Sequence, residues 1–143
     1  MKVRDLIKKK GSEVFTTSED IPVPEAINSL NTHNVGALLV MKDEIPVGII
    51  TERDILHAVG NHGADLKKMT VKDLMTPNLL TCSPGDFLDD IMQTMTDKRI
   101  RHLPVVENNK LEAMISIGDV VKALLEQTSA ESENLRDYIH GRR

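Results

Sequence analysis

The stretch GIITERD occupies positions 48–54, and AMISIGD occupies positions 113–119. Each is an apolar, strand-like run followed by a hydroxyl (Thr51, Ser116) and, three residues on, an aspartate (Asp54, Asp119). The pair recurs at a spacing of 65 positions. Two chemistries use this arrangement. At a helix start, a hydroxyl accepts from the backbone N–H three residues on and the carboxylate reaches back, a capping box that contributes about 1 kcal/mol. The same turn also suits a nucleotide. Its free N–H groups and partial positive charge attract phosphate, the hydroxyl can donate to that phosphate, and the aspartate can accept from the two hydroxyls of a ribose. The residues leave both readings open.

The repetition extends well beyond this stretch. VRDLI at 3–7 returns as VKDLM at 71–75, a shift of 68 positions, whereas VFTTS at 14–18 returns as LLTCS at 79–83, a shift of 65. NVGALLV at 34–40 returns as RIRHLPV at 99–105, again at 65. The first copy therefore carries three extra residues after its opening segment, KKKGSE against TPN. Four blocks in one order mark an internal duplication.

Each copy reads as a short opening helix (3–9; 71–75), a brief extended piece (14–16; 79–81), an amphipathic helix, two strands and a closing helix. Val23, Ile27 and Leu30 form the apolar face of the first amphipathic helix, with Pro24 in its first turn, where a missing N–H costs nothing. Leu88, Ile91, Met92 and Met95 form that face in the second. Strands are expected at 37–41 and 47–51, and at 103–106 and 112–117, joined by polar turns as antiparallel hairpins. Closing helices follow at 51–59 and 118–127. The polar stretch 60–68 reads as a linker, and Ser129 as the cap of a final helix carrying Leu135, Tyr138 and Ile139 on one side. The domain reading is 1–62, 63–127 and a helical tail at 128–143. The fold class is α/β (α+β), two βαββα repeats. Each has a one-sided sheet, and packing the two sheet to sheet gives both a cover.

Composition narrows the function. In 143 residues there are two Phe, one Tyr and no Trp, so stacking on rings is not a main recognition device. With a net charge of −4 the chain should repel nucleic acid and anionic membranes. The single cysteine, Cys82, forms no internal disulfide, fits a reducing compartment and reads as a small buried residue. The N-terminus does not read as a signal peptide, and no run reaches the eighteen or so apolar residues of a membrane span. The expectation is a cytoplasmic protein with neither nucleic acid nor membrane as partner. The histidines and Asp65 match no metal-ligand spacing. No nucleophile with its base and no glycine-rich phosphate loop is legible, so the chain reads as non-catalytic.

With these blocks in view, residues 3 to about 126 resemble a tandem pair of CBS domains, the regulatory module first known from cystathionine β-synthase. VGIITERDIL, MTPNLLTCSPGD and RIRHLPVV are the most specific segments. The resemblance implies βαββα copies related by a pseudo-twofold axis, with two clefts that commonly take adenine nucleotides. AMP comes first, then ATP or ADP, then NAD, with S-adenosylmethionine a further candidate. The ligand is regulatory and no cofactor is required.

Carried over by position, Asp54 and Asp119 hold ribose hydroxyls, Thr51 and Ser116 face phosphate, and Ile49 and Met114 flank adenine. The opposite wall of each cleft comes from the other copy's first strand, placing Leu80 opposite Asp54 and Thr16 opposite Asp119. Arg53, Arg99, Arg101 and His102 supply charge for phosphates, because guanidinium forks suit them; solvated surface charge is the plainer alternative. Ala113 departs from the pattern set by Gly48 and is expected to crowd a ligand. The resemblance also implies a homodimer formed through helices and an effector protein on a separate chain. The rival reading is a dimeric interaction scaffold whose clefts stay empty and whose aspartates only cap.

Overall fold

The computed structural model describes the backbone of residues 1–139 and the side chains of residues 1–130. Its element order is α1 (Val3–Lys10), β1 (Thr16–Thr17), α2 (Val23–His33), β2 (Ala37–Lys42), β3 (Ile45–Thr51), α3 (Glu52–His62), a 3-10 helix (Gly63–Lys68), α4 (Val71–Leu74), β4 (Thr76–Pro77), α5 (Leu88–Lys98), β5 (His102–Glu107), β6 (Lys110–Ser116) and α6 (Ile117–Ile139). The mixed α/β class and the order strand, helix, strand, strand, helix are those expected from the sequence.

The chain divides into two compact units. One comprises Met1–Ser12, Cys82–Glu107 and the chain from Glu112 onward; the other comprises Glu13–Thr81 and Asn108–Leu111. The opening helix of each repeat thus belongs to the unit that holds the other repeat's hairpin strands.

In the unit built around residues 13–81, a four-stranded sheet runs in the order β1-β2-β3-β4. β1 lies parallel to β2, with Thr16 opposite Leu39 and Thr17 opposite Val40. β2 and β3 form an antiparallel hairpin with a bulge at Val40/Met41. Its turn is tight because Asp43 and Glu44 both take positive φ, at 50° and 66°, the backbone that matches the twist of a two-residue hairpin. β4 continues the sheet, pairing Gly48 with Pro77 and Ile49 with Thr76. Ala26, Leu30, Leu38, Val40, Ile50 and Val71 are buried together against this sheet. Full burial of one such aliphatic side chain is worth about 1.5–3 kcal/mol. Ala26 takes the central place on the face of α2 and Ile27 is half-buried. His33 ends α2 and stacks on Phe15, the ring centroids 3.9 Å apart.

The other unit repeats the plan with a reduced sheet. β5 and β6 form a hairpin, turning at Asn108 and Asn109 with φ of 52° and 63°. The counterpart of β1 shrinks to one parallel bridge, Cys82 to Val105. Both residues lie 65 positions after the Thr17–Val40 pair, so the pairing is conserved in place and shortened in extent. The core gathers Val3 and Leu6 of α1, Leu88, Ile91 and Met95 of α5, Leu103, Val105 and Ile115 of the strands, and Val120 and Ala123 of α6. Cys82 is buried here as expected; burial first, and then the charge of Asp86, push its thiol up to about 12.

Three local expectations are corrected. The extended piece expected at 79–81 is replaced by β4 at Thr76–Pro77, because that segment lies against the open edge of β3. The stretch 60–68 is helical: α3 continues to His62 and the 3-10 helix follows. Ser129 caps no helix start, since α6 runs unbroken from Ile117 to Ile139. Thr128 instead folds its hydroxyl back onto the Leu124 carbonyl, 3.0 Å away, a bond that fits a continuing helix. The side chains of Leu135, Tyr138 and Ile139 lie outside the described residues.

Candidate functional site

Both repeated aspartates cap their helices. The Thr51 N–H donates to Asp54 Oδ2 at 2.9 Å, and the Asp54 N–H donates to Thr51 Oγ1 at 3.2 Å. Ser116 and Asp119 do the same at 2.9 and 3.1 Å. Capping does not single them out, however. Asp5 and Asp73 cap α1 and α4 by accepting from the backbone N–H three residues earlier, at 2.9 Å each, and Asp86 makes the same bond at 2.8 Å in a turn that starts no helix. Asp54 and Asp119 are distinguished by a second donor, which in each case comes from a distant part of the chain.

For Asp54 that donor is Thr76. Its hydroxyl stands 3.5 Å from Oδ1, the oxygen the cap leaves unused. At this length the bond is weak. Thr76 is held there by backbone pairing with Ile49. Gly48 is the reason β4 can approach. A Cβ at this position would lie 2.7 Å from Met75 Sδ and 3.0 Å from the Thr76 carbonyl oxygen. The missing side chain at Gly48 makes room for the chain's own segment, where the sequence had suggested room for a ligand. Ala113, the counterpart of Gly48, is buried.

For Asp119 the donor is Lys10. Its ammonium lies 2.9 Å from Oδ2 and also donates to the Met114 carbonyl at 2.7 Å. Met114 is the counterpart of Ile49, 65 positions on. At one site, then, the strand edge and the carboxylate are both met by Thr76, and at the equivalent site by a lysine. The two side chains are partly withdrawn from water, 29% exposed for Lys10 and 30% for Asp119. Burial raises the Asp119 carboxyl. The hydrogen bond from Lys10, those from Ser116 and the nearby lysine charge outweigh it and hold the group below the ordinary carboxylate value.

The remaining candidate residues range from buried to exposed. Ile49 and Met114 are only 9% exposed, so little of either is open to a ligand. Thr51 is half-buried and its hydroxyl also donates to Asp54 Oδ2 at 3.0 Å; Ser116 is likewise half-buried. Arg53 is exposed in the first turn of α3. Arg101 is exposed, and its carbonyl accepts from the Ile117 N–H at 2.8 Å, which places it at the start of α6 beside Ser116. Gly36 makes the equivalent bond to Glu52 at 3.0 Å, so the Asp54 site has no side chain at that point. Arg99 is exposed at the end of α5, in the left-handed conformation with φ of 55°. His102 is half-buried at the start of β5. Thr16 is exposed on β1 and Leu80 is exposed after β4. Among the described residues no group of three His, Cys, Asp or Glu side chains is placed to hold a metal ion. No described helix is long and apolar enough to cross a membrane.

Comparison with known proteins agrees with the fold and the repeat. The family profile of the CBS domain matches twice, at residues 3–61 and 71–126. The CBS domain-containing protein CBSX3, mitochondrial, of Arabidopsis thaliana is 40% identical over 149 residues, spanning 97% of this chain and 72% of that protein. The crystal structure of a CBS-domain containing protein from Agrobacterium tumefaciens superposes with a TM-score of 0.84 at 42% identity, covering 86% of this chain and 98% of that one. At the level of fold alone, the CBS domain pair of protein MJ0100, solved with 5′-methylthioadenosine and S-adenosyl-L-methionine, gives a TM-score of 0.78 at 23% identity, covering 89% and 98%. With both repeats matched and the strand-to-helix cap present in each, this chain belongs to the CBS domain family and is a tandem CBS pair.

Proposed function

We propose that this CBS pair is a regulatory module without a catalytic step, which binds an adenine nucleotide through Asp54 and Asp119 and reports occupancy to a separate protein. AMP is the first candidate, followed by ATP or ADP and then NAD, with S-adenosylmethionine as a further one. The observation that carries the reading is the division of labour within Asp54. Oδ2 completes the cap, while Oδ1 holds only a 3.5 Å contact with Thr76. A ribose hydroxyl can take over that contact without unmaking the cap. The exposed Arg53, Arg99 and Arg101, with half-buried His102, offer charge for phosphates. The adenosine-containing ligands named for the MJ0100 pair support the chemical class.

The module works as a homodimer through α3 and α6. Leu56, Val59 and Leu125 expose 70%, 51% and 63% of their surface on these helices, and burying such side chains against a second copy would favour association. Gly118, Val121, Leu125 and Ala130 line a shallow hollow on α6.

Differential scanning fluorimetry with AMP, ADP, ATP, NAD and S-adenosylmethionine tests the reading. A ligand at about a hundred times its Kd adds about 2.7 kcal/mol and raises Tm by several degrees. If no ligand moves Tm, the second reading stands: a dimeric scaffold whose aspartates only cap. Asp5 and Asp73, which cap without a distant donor, favour that alternative.

A further inference from the structure

We propose that Lys10 makes the Asp119 site selective for phosphorylated ligands, whereas the Asp54 site accepts neutral nucleosides as well. This rests on the nucleotide-binding reading above. The two sites share a strand edge, a cap and a carboxylate, and differ in the group that meets them. At Asp54 it is the uncharged hydroxyl of Thr76. At Asp119 it is an ammonium, fixed at two points by the carboxylate at 2.9 Å and the Met114 carbonyl at 2.7 Å.

A ribose diol that takes the Asp119 carboxylate competes with this ammonium. Anchored at Met114, the ammonium stays at the strand edge and loses its anionic partner. A neutral nucleoside leaves that charge uncompensated in a site partly withdrawn from water, which is unfavourable. A nucleoside phosphate brings a replacement anion. Arg101, at the start of α6, and the N-terminal turn of that helix add positive potential on the same side. The Asp54 site has Gly36 in place of Arg101 and no ammonium on its carboxylate; its own cation, Arg53 in the first turn of α3, is exposed and stays solvated when a neutral nucleoside binds, so the difference rests on Lys10. Lys10 is thus a specificity-determining residue, and it lies in the short segment where the two repeats differ in length.

The test is isothermal titration with AMP and with adenosine, using Asp54→Ala so that the Asp119 site is read by itself. AMP is expected to bind at least about tenfold tighter than adenosine, the ratio that one charge-assisted interaction supplies. Adding Lys10→Met should collapse this ratio, mainly by tightening adenosine. Lys10→Gln, which keeps a donor without the charge, should act in the same way; thermal melting of both variants confirms that they fold. In the Asp119→Ala chain the ratio should be small from the outset. A ratio unchanged by both Lys10 variants overturns the inference. So does a wild-type chain that binds AMP while Asp54→Ala binds none, although nucleotide binding itself then survives. If neither probe binds the wild-type chain, the functional reading fails and this inference with it.

Discussion

Gly48 lies directly opposite Pro77, and this pairing carries β4 along the edge of β3 to bring the Thr76 hydroxyl to Asp54. Without a bare Cα at position 48, that approach is closed. Gly48→Ala therefore sets a methyl against the Thr76 carbonyl, which is backbone and has little freedom to retreat. The expected cost is about 1–3 kcal/mol, the range for overpacking, read as a lower urea midpoint at unchanged m-value. An unaltered midpoint would show that β4 does not need the glycine.

Asp54 and Asp73 form a controlled comparison, because both cap in the same way at 2.9 Å. Each Asp→Ala change should cost about 1 kcal/mol of stability, as loss of a cap does. Only Asp54→Ala should also weaken the nucleotide, by about 1.5–3 kcal/mol, the range for a hydrogen bond to a charged group. Titration calorimetry on the two variants decides it: equal affinities mean that capping is the whole role of Asp54.

The Lys10–Asp119 pair gives stability a defined pH dependence. The Asp119 carboxyl is held below its ordinary value of 3.8 in the folded chain. Between that ordinary value and the lowered one, the unfolded chain binds more protons, so acidification favours unfolding. The contribution is fully present above the ordinary value and disappears as pH falls through the lowered one. Urea denaturation of wild type and Asp119→Asn should show a gap that is level near neutrality and narrows in acid. A gap that widens in acid contradicts the assignment.

Cys82 should be inert while the chain is folded. Burial and the charge of Asp86 raise its thiol to about 12, and only 4% of the residue is exposed, whereas alkylation proceeds through the thiolate. Iodoacetamide at neutral pH should leave the native chain unlabelled and label it fully in urea. Rapid labelling under native conditions would mean that the Cys82–Val105 bridge opens readily.

Leu56 and Leu125 test the association surface. Leu56→Asp combined with Leu125→Asp should convert a dimer to a monomer by light scattering, with little change in monomer fold by circular dichroism, since neither side chain is in either core. If the wild-type chain is already monomeric, the dimer proposal is wrong.

The duplication, the hairpins and the capping boxes were legible in the amino-acid order because each is set by local rules. Short continuous apolar runs, polar turns and the S/T-x-x-D spacing act within a few positions and leave a pattern in the chain. The apolar faces of α2 and α5 were legible for the same reason, although Ala26 displaced Ile27 at the centre of one of them. What the tertiary structure decided is which distant group meets each carboxylate. Thr76 and Lys10 are 22 and 109 positions from the aspartates they approach, and no local spacing encodes such a contact. Both residues come from the one place where the repeats fall out of step, TPN against KKKGSE. The change in spacing marked where the two sites differ; only packing, by bringing a strand edge within reach of one segment and a lysine within reach of the other, determined how.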